Sequence, residues 1–163
     1  MKRKRVYLAS PMGFAVSTRG FMEYLVGELE ALVDVSNPWD DTRFDDEFAA
    51  VAELDSRSEI EARLARVNSE LGRANAERID DADAVFAILD GVDVDSGTAA
   101  EIGYAFARGK YVCGLRTDFR LAGDNAGAIV NLQVQYFIEA SGGRVVTSVD
   151  DFVALARSLA SNE

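Results

Sequence analysis

Four carboxylates gather in one short part of the chain, at Asp90, Asp93, Asp95 and Glu101. In a cleft such groups accept hydrogen bonds from ligand hydroxyls, move protons, or attack an electrophilic carbon. Their placement follows from the stretch that carries them. Ala84 to Leu89 is an unbroken apolar run of strand length, as expected of a parallel strand covered on both faces, and Asp90-Gly91 ends it with turn residues. The acids therefore follow the carboxyl end of a strand, where open parallel sheets bind small molecules. A structural reading competes at Glu101. Thr98-Ala-Ala-Glu101 fits a capping box, in which hydroxyl and carboxylate satisfy free N–H groups at a helix start, and the helix dipole favours an acid there.

Several elements must hold these residues. Arg5 to Ala9 is apolar and β-branched and predicts a first, central strand ending in the turn Ser10-Pro-Met-Gly13. Phe21, Tyr24, Leu25, Leu29 and Leu32 are spaced for a helix capped by Ser17 or Thr18, and Asp34 to Pro38 holds a short second strand. Trp39 to Asp46 is polar with two large aromatics, either a flap over the site or a surface loop with its rings tucked into the core. Glu47 to Ile79 predicts one or two helices with a break near Asp55-Ser56, and its stripe Ile60, Leu64, Val67, Leu71 faces the sheet or a second subunit. After the central strand and helix come a strand at Tyr111 to Leu115, a polar loop, a helix from Ala128 to Ala140, a strand at Arg144 to Val146 and a last helix from Asp150 to Leu159. Alternating strands and helices give an α/β three-layer sandwich around a parallel, about five-stranded, flavodoxin- or Rossmann-like sheet, with residues 1–163 as a single domain.

Composition narrows the classes. The chain has 163 residues, enough for one core without metals or disulfides. Its single cysteine, Cys113, sits in an apolar run and fits a reduced, cytoplasmic setting. The basic start Met1 to Arg5 resembles a signal-peptide n-region, but the apolar run behind it is too short, and no run approaches membrane-spanning length. A formal charge of −11 repels polyanions, so neither nucleic acid nor membrane is an expected partner. Fourteen arginines against three lysines, with acids scattered throughout, also match the surface of a halophilic protein. No metal site is apparent: histidine is absent, one cysteine makes no cluster, and the acids lack calcium-loop spacing. Gly97 and Gly103 lack a phosphate-loop lysine and dinucleotide spacing, so no cofactor is expected.

Asp-Ser-Gly-Thr-Ala-Ala-Glu-Ile-Gly-Tyr-Ala at residues 95–105, followed by Gly109-Lys-Tyr-Val112, resembles the signature of the nucleoside 2-deoxyribosyltransferase family. Val6-Tyr-Leu-Ala-Ser-Pro11 is similar to that family's first strand and binding turn, and Asn131-Leu-Gln adds a third motif in the family's order. The resemblance implies that Glu101 is the catalytic nucleophile and that Tyr7 hydrogen-bonds it and fixes its rotamer. It implies Asp95 as ligand of the sugar's 5′-hydroxyl, with Asn131 reaching the same hydroxyl across a subunit interface, and it adds Ser10 and Gly97 as substrate-binding positions. An ordinary strand aromatic at 7 and a helix-surface amide at 131 are the alternatives. Where the transferases carry an aspartate that contacts the base, this chain has Asn75, which recognises a base but cannot protonate it. Asp93 or solvent is left for that step.

The implied activity is base exchange on 2′-deoxynucleosides by a homodimer or higher homo-oligomer whose ligands are a nucleoside and a free nucleobase. Asp95 opposes a phosphate dianion, and the first turn lacks the arginine of the monophosphate-hydrolysing branch; both favour the free nucleoside. The alternatives are an N-glycosidase for nucleosides or their 5′-monophosphates, and a non-catalytic nucleotide-sensing module suggested by Asn75.

Overall fold

The structure, a computed structural model, describes residues 3–161. Of the basic start noted above, Met1 and Lys2 lie outside the described residues. Five strands, β1 (Arg5–Ala9), β2 (Asp34–Ser36), β3 (Ala84–Ile88), β4 (Tyr111–Leu115) and β5 (Val145–Val146), form one wholly parallel sheet in the order β2-β1-β3-β4-β5. Six α-helices connect or flank them: α1 (Val16–Glu30), α2 (Asp45–Ala52), α3 (Arg57–Asp81), α4 (Ser96–Ala107), α5 (Leu132–Ala140) and α6 (Val149–Ser161).

Period-two side-chain alternation divides the core into two layers, one on each face of the sheet. Val6 and Leu8 of β1 join Phe86 and Ile88 of β3 under α1 and α6, around Leu25, Leu29 and Phe152. Tyr7 and Ala9 face the other way with Val85, Ala87 and Leu89, toward Ile102 and Ala105 of α4 and Val134 and Ile138 of α5. All five β3 residues are buried, as its unbroken apolar run requires of a strand covered on both faces. The α/β sandwich expected from the alternation of elements is therefore the observed fold.

The strand order fixes where a ligand can bind. From β1 the chain crosses to β2 on one side, then returns to place β3 on the other, so the crossovers diverge at the carboxyl ends of β1 and β3. That divergence opens a crevice. The middle strand is β3, however, and β1 is its neighbour rather than the centre of the sheet.

Three expected helix starts are revised. Helix α1 begins at Val16 after an extended Ala15 and has no side-chain cap, whereas Thr18 Oγ1 turns back to the carbonyls of Met12, at 2.5 Å, and Ala15. Helix α5 begins at Leu132 rather than Ala128, because the Asn131 side chain accepts from the N–H groups of Gln133 and Val134 and sets the start there. The box Thr98 to Glu101 does not cap α4. Its cap is Asp95, whose Oδ2 accepts from Gly97 N at 2.9 Å and Thr98 N at 3.1 Å, placing Glu101 within the second turn and free for other work. The break near Asp55-Ser56 is present, and Ser56 caps α3.

Candidate active site

Tyr7 is fully buried at the middle of β1, beside Val85 of β3. Its hydroxyl donates to Glu101 Oε1 at 2.6 Å, a short charge-assisted bond that joins the first strand to the helix after β3. Burial pushes the phenol well above its ordinary value, and the Glu101 charge and hydrogen bond add to the shift, so the proton stays on Tyr7. Burial also raises Glu101, and the negative Asp95 reinforces this while the Tyr7 hydrogen bond opposes it. The carboxylate is thus a desolvated, basic oxygen group whose rotamer is fixed by a neighbour that remains a donor.

A second donor approaches from α3. Asn75 Nδ2 lies 3.4 Å from Glu101 Oε1, and Asn75 Oδ1 accepts from Arg78 Nη1 at 3.4 Å, three residues along the same helix face. Arg78 also pairs with Asp41 at 2.6 Å. The Asp41 side chain is only 3% exposed and holds Arg43 as well, at 2.8 Å. These guanidiniums keep its carboxyl well below the usual range, so Asp41 is an ionised strut and not a proton donor.

That strut anchors the polar segment after β2, which folds as two 3-10 turns, Pro38–Asp40 and Thr42–Phe44. The Trp39 indole donates to Ser10 O at 2.8 Å and meets the Phe14 ring edge-on at 4.6 Å. It lies flat over Gly13, where any Cβ would collide with the indole. Of the two readings of this segment, the structure shows the covering one, since Trp39 and Asp41 line a cavity of about 600 Å³ together with Ser10, Asn75, Asp95, Gly97 and Glu101. Phe14 and Phe48 add two more rings, and Asp45 another carboxylate.

The remaining candidates lie elsewhere. Asp90 accepts from Thr117 N, Thr117 Oγ1 and Asp118 N and ties the loop after β3 to the loop after β4. Asp93 accepts from the N–H of Val94 at 2.7 Å and does not line the cavity, which removes it as a donor to a leaving base. Asn131 caps α5 and does not line the cavity of its own chain. Arg78, Asp41, Asp45 and Phe48 were not foreseen as parts of the site. The spacing Asn75-x-x-Arg78 was a helical-face signal for the first of them, while nothing local marks Asp41. Buried Arg116 was also missed. It donates to Leu89 O at 2.5 Å, to Gly91 O at 3.1 Å and to Arg120 O at 2.7 Å, bracing both loops beyond the sheet edge.

Comparison with known proteins identifies the family and the fold. The family model described as Nucleoside 2-deoxyribosyltransferase matches residues 6–133. No curated protein sequence matches the chain. A conserved protein from Enterococcus faecalis superposes with a TM-score of 0.71 at 26% identity, covering 96% of this chain and 99% of the other. A 2-desoxiribosyltransferase from Leishmania mexicana gives 0.63 at 22% identity over 95% and 97%. A CMP N-glycosidase from Clostridium botulinum gives 0.55 at 18% identity over 93% and 97%. At those last two identities the likeness is one of fold, and the family model carries the assignment. With that match over most of its length, the chain belongs to the nucleoside 2-deoxyribosyltransferase family and is an enzyme of N-glycosidic bond chemistry rather than a non-catalytic sensing module.

Proposed function

We propose that the enzyme exchanges bases on 2′-deoxynucleosides through a covalent deoxyribosyl-glutamate intermediate. The observation that carries this reading is the 2.6 Å bond from Tyr7 to Glu101 at the wall of the cavity. It engages Oε1, leaving Oε2 to attack C1′ of the sugar. The bond from C1′ to the base nitrogen breaks with its electron pair on the base, and an ester joins C1′ to Glu101. The departing base takes up a proton from solvent, and a second base, losing its N–H proton to solvent, then displaces the carboxylate from the opposite face, so configuration is retained overall.

Asp95 binds the 5′-hydroxyl in this reading. Its Oδ2 is committed to the start of α4, which leaves Oδ1 as the acceptor. The same carboxylate occupies the anion-favouring end of the helix, where a 5′-phosphate would otherwise find free N–H groups. The substrate is accordingly the nucleoside and not its monophosphate. Ser10 and Gly97 complete the sugar side, and Asn75 faces the base. The active form is a homodimer or higher homo-oligomer in which Asn131 completes a neighbour's site. This is supported by the exposed Leu132 and Tyr136 on the helix that Asn131 caps.

Hydrolysis is the second reading, favoured by the amide at Asn75 where the transferases carry an acid. Incubating deoxyinosine or thymidine with a different free base decides between them. A new nucleoside supports exchange; free deoxyribose with no new nucleoside supports hydrolysis and rules exchange out.

A further inference from the structure

Every carboxylate that lines the cavity has a role that removes it as a proton donor, except one. Asp41 is held ionised by Arg43 and Arg78, Asp95 caps α4, and Glu101 is the proposed nucleophile. Asn75 has no acidic proton to give. Asp45 alone is uncommitted. No lysine or arginine lines the cavity, and among the described residues Asp45, Asp95 and Glu101 have no salt-bridge partner. Lining the same cavity are three aromatic rings, Phe14, Trp39 and Phe48, of which Phe14 and Trp39 are locked edge-to-face at 4.6 Å. Negative charge that is not neutralised, beside aromatic faces, is the arrangement that attracts a flat cation. A neutral purine or pyrimidine must be protonated as it leaves, and the one carboxylate left for this, Asp45, is an exposed residue of the first turn of α2, where a helix start favours an anion.

We propose that the preferred substrates are 2′-deoxynucleosides whose base already carries a positive charge, such as pyridinium or N7-alkylated purine deoxyribosides. The inference rests on the glycosidic reading above and specifies its substrate class. The chemistry balances without an acid. Glu101 forms the C1′–O bond, and the C1′–N electron pair neutralises the cationic ring, which departs as a neutral heterocycle. Water then attacks C1′, the carboxylate is released, and one proton goes to solvent. A neutral acceptor base would instead regain a cationic nucleoside on attack, so exchange between two such heterocycles also needs no proton transfer. Asp45 and the rings act here as recognition groups, in the part of the cavity shared with Asn75.

Trp39 is the only tryptophan of the chain, so its fluorescence reports the site directly. Titration with 1-methylnicotinamide, a cation, and with nicotinamide, its neutral counterpart, should give a dissociation constant at least tenfold lower for the cation. Asp45→Asn should cut that discrimination at least threefold. Asp46→Asn, one residue away and not on the cavity wall, should leave it intact, with circular dichroism confirming both folds. Turnover of a pyridinium deoxyriboside and of deoxyinosine is measured alongside, each as enhancement over its own uncatalysed hydrolysis. Greater enhancement for the cation supports the inference. Equal dissociation constants, or equal losses in the two Asp variants, would overturn it by showing only the attraction of an acidic surface. Consumption of deoxyinosine with equal or greater enhancement overturns it while leaving the glycosidic reading standing, and consumption of neither substrate overturns both.

Discussion

At the level of single residues, Glu101 is freed from capping because Asp95 takes that work. Glu101→Gln should therefore reduce turnover by about a thousandfold or more while the protein stays folded. Its effect on stability has the opposite sign. Burial raises the carboxyl above its ordinary value of 4.5, so the ionised form is less favourable in the folded chain than in the unfolded one. That penalty is absent below about pH 4.5, grows as the pH rises toward the raised value, and is complete above it. The Gln variant should consequently melt higher than the parent at pH 7, with the gap closing in acid, as thermal melts across pH would show. The acid limb of turnover should likewise lie above 4.5. The pairing of Tyr7 with Glu101 was legible only through the family resemblance, since Tyr7 lies mid-strand and nothing in its spacing points to a carboxylate 94 residues away. The capping box remained a competing reading because Thr98 and Asp95 both fit the start of a helix by type. The contest is decided in three dimensions by a carboxylate that reaches two N–H groups at once.

Among the elements, strands were visible as short unbroken apolar runs buried on both faces, and long helices by apolar residues at a period of 3.6. The cover after β2 was not. It folds through contacts distant in sequence, Trp39 on Gly13 and Asp41 on Arg78, and its two 3-10 turns carry no periodic signal. Arg78 joins this cover to Glu101 through Asn75, whose amide it orients with Nδ2 toward that carboxylate. Arg78→Lys keeps the charge but lacks the planar fork needed to engage Asp41 and Asn75 together. Turnover should fall about tenfold, the size of one charged hydrogen bond, with little change in melting temperature. Combined with Asn75→Ala, the two losses should not add, and a double-mutant cycle on kcat measures this. Fully additive losses would reduce Arg78 to a tie between loop and helix.

For the whole molecule, composition was the guide to charge, whereas subunit arrangement has no signature in one chain. Asn131 makes the question concrete, since it is absent from the cavity of its own chain yet is the residue proposed to complete a neighbour's. If the site is shared, mixing inactive Asp95→Ala and Asn131→Ala proteins should restore part of the activity as subunits exchange, because some hybrid sites carry both intact residues. Proven exchange with no recovery would leave Asn131 as a cap alone. No helix among the described residues is long and apolar enough to cross a membrane. The carboxylate seated at the head of α4 has a further consequence, for selectivity in a mixture. A helix start is ordinarily open to inorganic phosphate, sulfate and every phosphorylated metabolite alike. Here the chain has filled that position with an anion of its own. Phosphate and 5′-nucleotides should therefore fail to compete with nucleosides in an inhibition assay. Asp95→Ser, which removes a repulsion of about 4 kcal/mol at 4 Å and an effective dielectric of 20, should make the enzyme susceptible to both.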